Sequence, residues 1–124
     1  MEVTILGAGA WGVALAEVLT CNNHNVSVWH YKNDYISDIK ETRFHKNLNS
    51  KISKKINFIS RKSDINKKSS ILICLPSQHI RSVLSCLKLE NKYYINASKG
   101  IELKTGKLIS QIIKETTIAT NRTI

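Results

Sequence analysis

The chain has 124 residues, of which 42% are hydrophobic and 23% are charged, which suits one domain with a packed core and excludes a disordered tail. Its net charge of +10 comes mainly from scattered lysines, without the aromatic interleaving that is typical of a nucleic-acid-binding face. The three cysteines form no C-x-x-C pair, so neither a zinc site nor a disulfide framework is indicated. No apolar run is long enough to span a membrane, and the apolar N-terminus lacks the features of a signal peptide. We therefore expect a cytoplasmic protein without nucleic-acid or membrane partners.

The first thirty residues follow the pattern of a strand–helix–strand unit. The stretch "EVTIL" (2–6) is short, apolar and rich in β-branched residues, as expected of a buried strand. The glycine-rich stretch "GAGAWG" (7–12) follows it, and large apolar residues then recur at helical spacing: Trp11, Leu15, Val18 and Leu19. The alternating stretch "NVSVW" (25–29) predicts a second strand, parallel to the first.

The middle of the chain gives weaker signals. The pattern over 33–44 predicts a helix capped by Asn33 or Asp34. Residues 45–55 are polar and predict a loop, and a third strand is predicted over 56–60.

The second half alternates strands and helices more clearly. The run "SILICL" (70–75) predicts a central strand that is buried on both faces and stops at Pro76, and "YYINAS" (93–98) predicts the next strand. Each is followed by a predicted helix with one apolar stripe: Ile80, Val83, Leu84 and Leu87 in the first, and Leu108, Ile109, Ile112 and Ile113 in the second, over 105–116. This alternation predicts an α/β fold with a doubly wound parallel sheet, a Rossmann-like dinucleotide-binding domain.

The last eight residues, "TIATNRTI" (117–124), show no strand pattern, although a sixth strand is due in such a sheet. We therefore expect 1–124 to be one domain that stops before its last strands.

The glycine stretch has the spacing G-x-G-x-x-G between a predicted strand and a predicted helix. In that context Gly7 allows a tight turn, Gly9 lets the backbone approach a pyrophosphate, and Gly12 lets the helix pack closely on the strand. The helix N-terminus then offers free N–H groups to the phosphates. The alternative is a glycine-rich turn that binds nothing.

The end of the second strand bears on the choice of cofactor. Binding of the ribose 2′-hydroxyl usually uses an Asp or Glu there, but Tyr31 and Lys32 precede the first acid, Asp34. A lysine that pairs with a 2′-phosphate and a tyrosine that packs on adenine favour NADP over NAD. The alternative is a solvated Lys32, with Asp34 capping the next helix or reaching the ribose.

Ligands bind at the carboxyl ends of parallel strands, where "LPSQ" (75–78) and "NASKG" (96–100) lie. Lys99 is the basic residue expected there, and it could hold a phosphate or carboxylate of a substrate beside the nicotinamide, or it could be a solvated turn residue. The histidines show no metal-ligand spacing, and most are expected at the surface; His79 is a candidate for the cleft.

Four motifs together carry a resemblance to a known family. The stretches "GAGAWG" (7–12), "VW" followed by "YK" (28–32), "LPSQ" (75–78) and "ASKGIE" (97–102) are similar in order and spacing to those of bacterial NAD(P)-dependent glycerol-3-phosphate dehydrogenases. The resemblance covers essentially the whole chain. It implies a two-domain enzyme that interconverts dihydroxyacetone phosphate and sn-glycerol 3-phosphate by hydride transfer and feeds phospholipid synthesis.

The resemblance also implies roles for individual residues. Ala10 and Trp11 match positions that contact the cofactor, although Ala10 is often serine in the family, so that a hydroxyl contact is absent. Tyr31 and Lys32 match a pair that is often His-Arg on the adenosine phosphate side, and lysine lacks the bidentate phosphate pairing of arginine. NADP therefore remains the preferred cofactor, with NAD left open. Lys99 matches a lysine that contacts both cofactor and substrate.

Pro76, in the matched "LPSQ" motif, joins the glycines among the expected cofactor-binding residues. The catalytic lysine and the substrate domain, which also supplies dimer contacts in the family, are expected outside this chain. The alternatives are a cofactor-binding fragment without catalytic activity, the N-terminal domain of a related hydroxy-acid dehydrogenase, and, on charge alone, a basic nucleic-acid binder.

Overall fold

The computed structural model describes residues 1–117 and 122–123, and its centre is one six-stranded sheet in which every pairing is parallel. The strands and helices, in chain order, are β1 Glu2–Leu6, α1 Ala10–Cys21, β2 Asn25–Trp29, α2 Asn33–Thr42, β3 Phe44–His45, β4 Ser50–Lys51, β5 Asn57–Ile59, β6 Ser70–Ile73, α3 Ser77–Leu87, β7 Tyr93–Asn96, α4 Ile109–Thr116 and β8 Arg122–Thr123. A short 3-10 helix covers Lys62–Asp64.

The order of strands in the sheet is β5-β2-β1-β6-β7-β8. Numbered along the chain, the six strands of the sheet therefore run 3-2-1-4-5-6, which is the order of dinucleotide-binding folds. The predicted doubly wound α/β fold is confirmed. The direction of winding reverses between β1 and β6, and ligands bind at this point in such sheets.

Helices cover both faces of the sheet because successive strand residues point to opposite sides. Val3 and Ile5 of β1 join a core cluster that also contains Val13 of α1 and Ile36 of α2. Leu6 of β1 belongs to a second cluster, on the other face. There it packs with residues of β6, α3 and α4, among them Ile71, Ile73, Ile80, Leu84, Ile109 and Ile112.

Helix α1 packs through a different face from the one that its large apolar residues predict. Its buried residues are small or β-branched: Gly12, Val13, Ala16 and Thr20. Trp11 and Val18 are each 57% exposed, and Leu15 and Leu19 are only partly buried. The reason is the glycine turn, which brings the helix so close to β1 that only small side chains fit between them.

Three other expectations need correction. The polar segment 45–55 is not a plain loop, because β3 and β4 pair as a short antiparallel hairpin. Leu108 precedes α4 and is exposed, and its N–H donates to Gln111 Oε1 at 2.8 Å. Neither Asn33 nor Asp34 caps α2, which begins at Asn33 after Lys32 and has no side-chain cap.

The expectation that no sixth strand is present is also wrong. Arg122–Thr123 pairs in parallel with β7, at the edge of the sheet. The rest of the tail, residues 118–121 and 124, lies outside the described residues. Within the described part of the chain, no helix has the length and hydrophobicity that crossing a membrane requires.

Candidate functional site

A cavity of about 980 Å³ opens where β1, β6 and β7 end, at the point where the winding of the sheet reverses. All the predicted cofactor-binding residues except Lys32 line it: Gly7, Gly9, Ala10, Trp11, Gly12, Tyr31, Pro76 and Lys99. The fold therefore gathers residues from four separate parts of the sequence around one space.

The three glycines of the turn have different reasons to be glycine. Gly7 has φ +117°, and a Cβ on it would lie 2.5 Å from the carbonyl oxygen of Cys74. A Cβ on Gly12 would lie 2.1 Å from the carbonyl oxygen of Gly7. Gly9 has an ordinary φ of −73°, and a Cβ there would have no other atom within 4 Å. The fold itself requires glycine at positions 7 and 12. At Gly9, by contrast, the lack of a side chain leaves space in the cavity open.

The N-terminus of α1 forms the floor of this cavity. Gly9 is its N-cap, no side chain caps it, and its first turn contains no acidic residue. The first N–H groups of a helix have no acceptor within the helix, and they carry its partial positive charge. Because Gly9, Ala10 and Trp11 line the cavity, this end of α1 can bind an anion such as a pyrophosphate.

Trp11 joins the glycine turn to the far side of the cavity. Its indole Nε1 donates to the carbonyl oxygen of Ala97 at 3.1 Å, although the residue is exposed. Ala97 directly follows β7 and precedes Ser98, whose hydroxyl donates to the carbonyl oxygen of Ile73 at 3.1 Å. These two bonds hold the segment that carries Lys99 against the ends of β6 and α1.

At the end of β2, aromatic side chains stack at one end of the cavity. The rings of His30 and Tyr31 lie 4.7 Å apart, and the Lys32 ammonium lies 5.6 Å from the Tyr31 ring centroid. Partial burial and the nearby charge of Lys32 lower the pKa of His30, which favours its neutral form. Lys32 is exposed and is not part of the lining, although it directly follows Tyr31, which is. Asp34 lies in the first turn of α2.

Helix α3 contributes a lining that the sequence analysis largely missed. His79, the candidate for the cleft, does line the cavity, together with Ser82, Val83 and Cys86. Their spacing of three, one and three residues places them on one helical stripe. This stripe shares Val83 with the apolar stripe, but His79, Ser82 and Cys86 lie outside the apolar pattern, so periodicity alone did not single them out.

Side chains of α3 hold the segment after Lys99 in place. Gln78 donates to the carbonyl oxygen of Ile101 at 2.9 Å and accepts from the N–H of Leu103 at 3.0 Å. Arg81 makes a bidentate pair with Glu102 at 2.8 and 2.9 Å, and Glu102 is buried. Hydrogen bonds from Arg81 and then from Thr105 lower the pKa of Glu102 from 4.5 to about 2.

This lowered pKa predicts an acid-sensitive contribution to stability. Because the pKa is lower in the folded than in the unfolded chain, the folded state binds fewer protons, and stability falls as the pH drops from 4.5 towards about 2. We expect Glu102→Gln to be less stable than the parent at neutral pH, with the difference shrinking across that interval. Urea unfolding of both proteins between pH 7 and 2.5 measures it; a difference that is independent of pH would contradict the prediction.

The other histidines and cysteines are candidate metal ligands that differ in burial. Within the described residues, no three His, Cys, Asp or Glu side chains are placed to hold a metal ion. Cys74 is buried, and burial raises its pKa to about 11. His45, expected at the surface, is instead 3% exposed.

Comparison with known proteins identifies the family. The family model described as "NAD-dependent glycerol-3-phosphate dehydrogenase N-terminus" matches residues 2–124. The chain belongs to this family. The similarity that the four motifs indicated is thereby confirmed.

Individual members of the glycerol-3-phosphate dehydrogenase family are similar over most of this chain. It is 33% identical to glycerol-3-phosphate dehydrogenase [NAD(P)+] of Prosthecochloris aestuarii, over 94% of this chain and 37% of the relative. It is 38% identical to the protein of that name from Oceanobacillus iheyensis, over 92% of this chain and 35% of the relative. The chain thus spans little more than a third of the length of these curated relatives.

Solved structures agree on the fold. Glycerol-3-phosphate dehydrogenase from Coxiella burnetii superposes with a TM-score of 0.82 at 24% identity, over 93% of this chain and 37% of that one. A D-mandelate dehydrogenase solved with NADH superposes with a TM-score of 0.70 at 17% identity, over 94% of this chain and 38% of that one. At these identities the likeness concerns the fold alone.

Proposed function

We propose that this chain is the NAD(P)-binding domain of an sn-glycerol-3-phosphate dehydrogenase that interconverts dihydroxyacetone phosphate and sn-glycerol 3-phosphate. The proposal rests on Gly9. This residue lines the cavity at the uncapped N-terminus of α1, where the winding of the sheet reverses, and no other part of the fold occupies the space that its side chain would fill. A Cβ would project there without any clash within the fold, so the glycine is best explained by a ligand. Membership of the family supports this.

Different residues of the cavity bind different parts of the cofactor. The Gly9 and α1 N–H groups hold the pyrophosphate, and Tyr31 packs against the adenosine end. Pro76 and Trp11 wall the space towards the nicotinamide end, where Lys99 lies. When bound there, the nicotinamide would donate a hydride to carbon 2 of dihydroxyacetone phosphate in one direction and accept it from carbon 2 of sn-glycerol 3-phosphate in the other. Lys99 orients the substrate through its phosphate or carbonyl oxygen, since an ammonium is attracted to both.

The alcohol proton must be taken up and released by a positioned side chain. We assign that role to a lysine outside these 124 residues, in the part of the relatives that this chain does not span. The chain alone is therefore proposed to bind cofactor without turnover.

The substrate assignment is tested by joining this chain to the C-terminal part of a family member and assaying dihydroxyacetone phosphate with NADPH and NADH. Turnover that needs both parts supports the proposal. If the fused protein folds and binds cofactor but reduces 2-keto acids instead, the chain serves a related hydroxy-acid dehydrogenase, and the substrate assignment is wrong.

We further propose a preference for NADP, with Lys32 as the residue that recognises the 2′-phosphate. It directly follows Tyr31, which lines the cavity, and no described salt bridge involves its ammonium, which is therefore available to a phosphate. The described end of β2 has no carboxylate that would select a free 2′-hydroxyl; the nearest acid along the chain, Asp34, lies in α2.

Lys32→Asp is expected to weaken NADPH binding by about tenfold while changing NADH binding by less than about twofold, because only NADPH carries the 2′-phosphate. Titration calorimetry with both cofactors measures the two constants. Lys54→Asp makes the same charge change at an exposed residue outside the cavity lining and serves as the control. Equal losses for NADH and NADPH would show that Lys32 does not read the 2′-phosphate.

A further inference from the structure

The carbonyl oxygen of Ala8, inside the glycine turn, accepts two side-chain hydrogen bonds. The Tyr35 hydroxyl donates to it at 2.9 Å, and His45 Nε2 lies 3.2 Å from it. Ala8 is 1% exposed and His45 is 3% exposed. Both side chains come from the segment between β2 and β5, so two elements outside the turn converge on one of its peptide groups.

The hydrogen bonds around His45 indicate which tautomer its neutral ring adopts. The backbone N–H of Leu48 donates to His45 Nδ1 at 3.3 Å. A backbone N–H can only donate, so Nδ1 must present its lone pair, and the ring hydrogen of the neutral imidazole lies on Nε2. His45 Nε2–H is therefore a donor to the Ala8 carbonyl, like the Tyr35 hydroxyl.

The geometry of the peptide group transmits this constraint to Gly9. The Ala8–Gly9 peptide is trans, so its carbonyl and its N–H point in opposite directions. With the carbonyl bound on the buried side, the N–H of Gly9 is turned towards the cavity that Gly9 lines. Within residues 1–117, no protein acceptor takes this N–H.

A peptide that precedes glycine needs such a constraint. Glycine lacks the Cβ that restricts φ, so the Ala8–Gly9 peptide could rotate at little steric cost and present its carbonyl to the cavity instead. A carbonyl oxygen there would repel a phosphate. Two donors on the carbonyl oppose that rotation, and one of them, Tyr35, also contacts the ring of His30, at 4.9 Å.

We propose that Tyr35 and His45 are positioning residues that hold the Gly9 N–H in the orientation needed to bind a pyrophosphate. The inference rests on the proposed function, because it assigns the pyrophosphate to this N–H. It predicts that neither side chain touches the ligand, and that both act through the Ala8–Gly9 peptide.

The test uses Tyr35→Phe and His45→Leu in the 124-residue chain, with His45→Gln as the variant that keeps an N–H donor. The first readout is the amide resonance of Gly9 without ligand, by 15N–1H NMR. The second is the affinity for ADP-ribose, which has a pyrophosphate, against that for adenosine, which has no phosphate. Thermal unfolding is recorded for each protein.

Tyr94→Phe is the matched control. The Tyr94 hydroxyl also donates to a backbone carbonyl, that of Leu89 at 3.1 Å, and it is buried on the opposite face of the sheet. This variant should lose stability without moving the Gly9 amide or changing either affinity.

We expect Tyr35→Phe and His45→Leu each to shift the Gly9 amide and to weaken ADP-ribose binding by about fivefold to tenfold, with adenosine binding changed by less than about twofold. His45→Gln should restore most of the loss. An unmoved Gly9 amide, or equal losses for ADP-ribose and adenosine, would overturn the inference. Absence of binding by the unmodified chain would instead defeat the proposed function, and the Gly9 shift in the variants would still decide whether the two side chains orient this peptide.

Discussion

Gly9→Val is expected to weaken the binding of NADH and NADPH by about a hundredfold or more while leaving the fold intact. A Cβ at this position has no atom within 4 Å beyond those of its own residue and its two chain neighbours, and valine readily adopts the φ of −73° found here. It projects instead into the space that the pyrophosphate must enter to reach the N–H groups of α1. The Tm should fall by only a few degrees, because the sole expected destabilisation is the replacement of glycine at the N-cap of α1.

Calorimetry with both cofactors and differential scanning calorimetry on the same samples measure the two effects. Adenosine is the control ligand, and its affinity should be retained because it places no phosphate at the turn. A Gly9→Val chain that binds NADH as tightly as the parent would show that the cofactor does not approach this turn.

Gly12→Ala, unlike Gly9→Val, is expected to cause a large loss of stability. Its Cβ would lie 2.1 Å from the carbonyl oxygen of Gly7, a backbone atom that is fixed by the turn. Relief requires α1 to move away from β1, and we expect the free energy of unfolding to fall by about 3 kcal/mol or more. Gly7→Ala should do the same, because its φ of +117° and the carbonyl of Cys74 both exclude a side chain.

Urea unfolding measures this prediction, with Gly9→Ala as the matched control because it is the same substitution two residues from Gly7 in the same turn. We expect the control to change the free energy of unfolding by less than about 1 kcal/mol. A Gly12→Ala chain as stable as the control would mean that the helix does not pack on the turn in the way described.

Sheet strands and the glycine turn could be predicted because their signals are local. The run 70–75 is apolar after its first residue and contains the β-branched Ile71 and Ile73, a composition that is typical of a strand covered on both faces. The turn is equally explicit, because its G-x-G-x-x-G spacing lies within six consecutive residues, although the contact that excludes a Cβ on Gly7 comes from Cys74, directly after the neighbouring strand β6. These features also placed the site, since parallel strands end on the same side of a sheet.

The face of α1 could not be predicted in the same way. The helical spacing of the large apolar residues predicts that Trp11 and Val18 lie on the buried face of α1, but both are exposed in the structure. The true contact face consists of small residues, because a glycine turn brings helix and strand together. The indole of the exposed Trp11 instead donates a hydrogen bond to the carbonyl oxygen of Ala97, on the other side of the cavity.

Features that depend on distant pairing were also missed. Arg122–Thr123 has no apolar pattern, and it is a strand only because the edge of β7 is there to pair with it. His45 looks like a surface residue in a polar segment, yet a buried imidazole is acceptable once both of its nitrogens are hydrogen-bonded. Of these partners, Ala8 lies 37 residues away in the sequence, and Leu48 lies in the loop of the short hairpin that the sequence did not predict.

Cofactor binding at this cavity is tested most directly by titrating the 15N-labelled chain with NADPH and NADH and following the amides by NMR. Saturable shifts are predicted for the amides of Gly9 and Lys99 and for the indole N–H of Trp11, with no shift at Lys54, outside the cavity lining. No change at the turn up to millimolar cofactor, or shifts that appear only away from this cavity, would contradict the account.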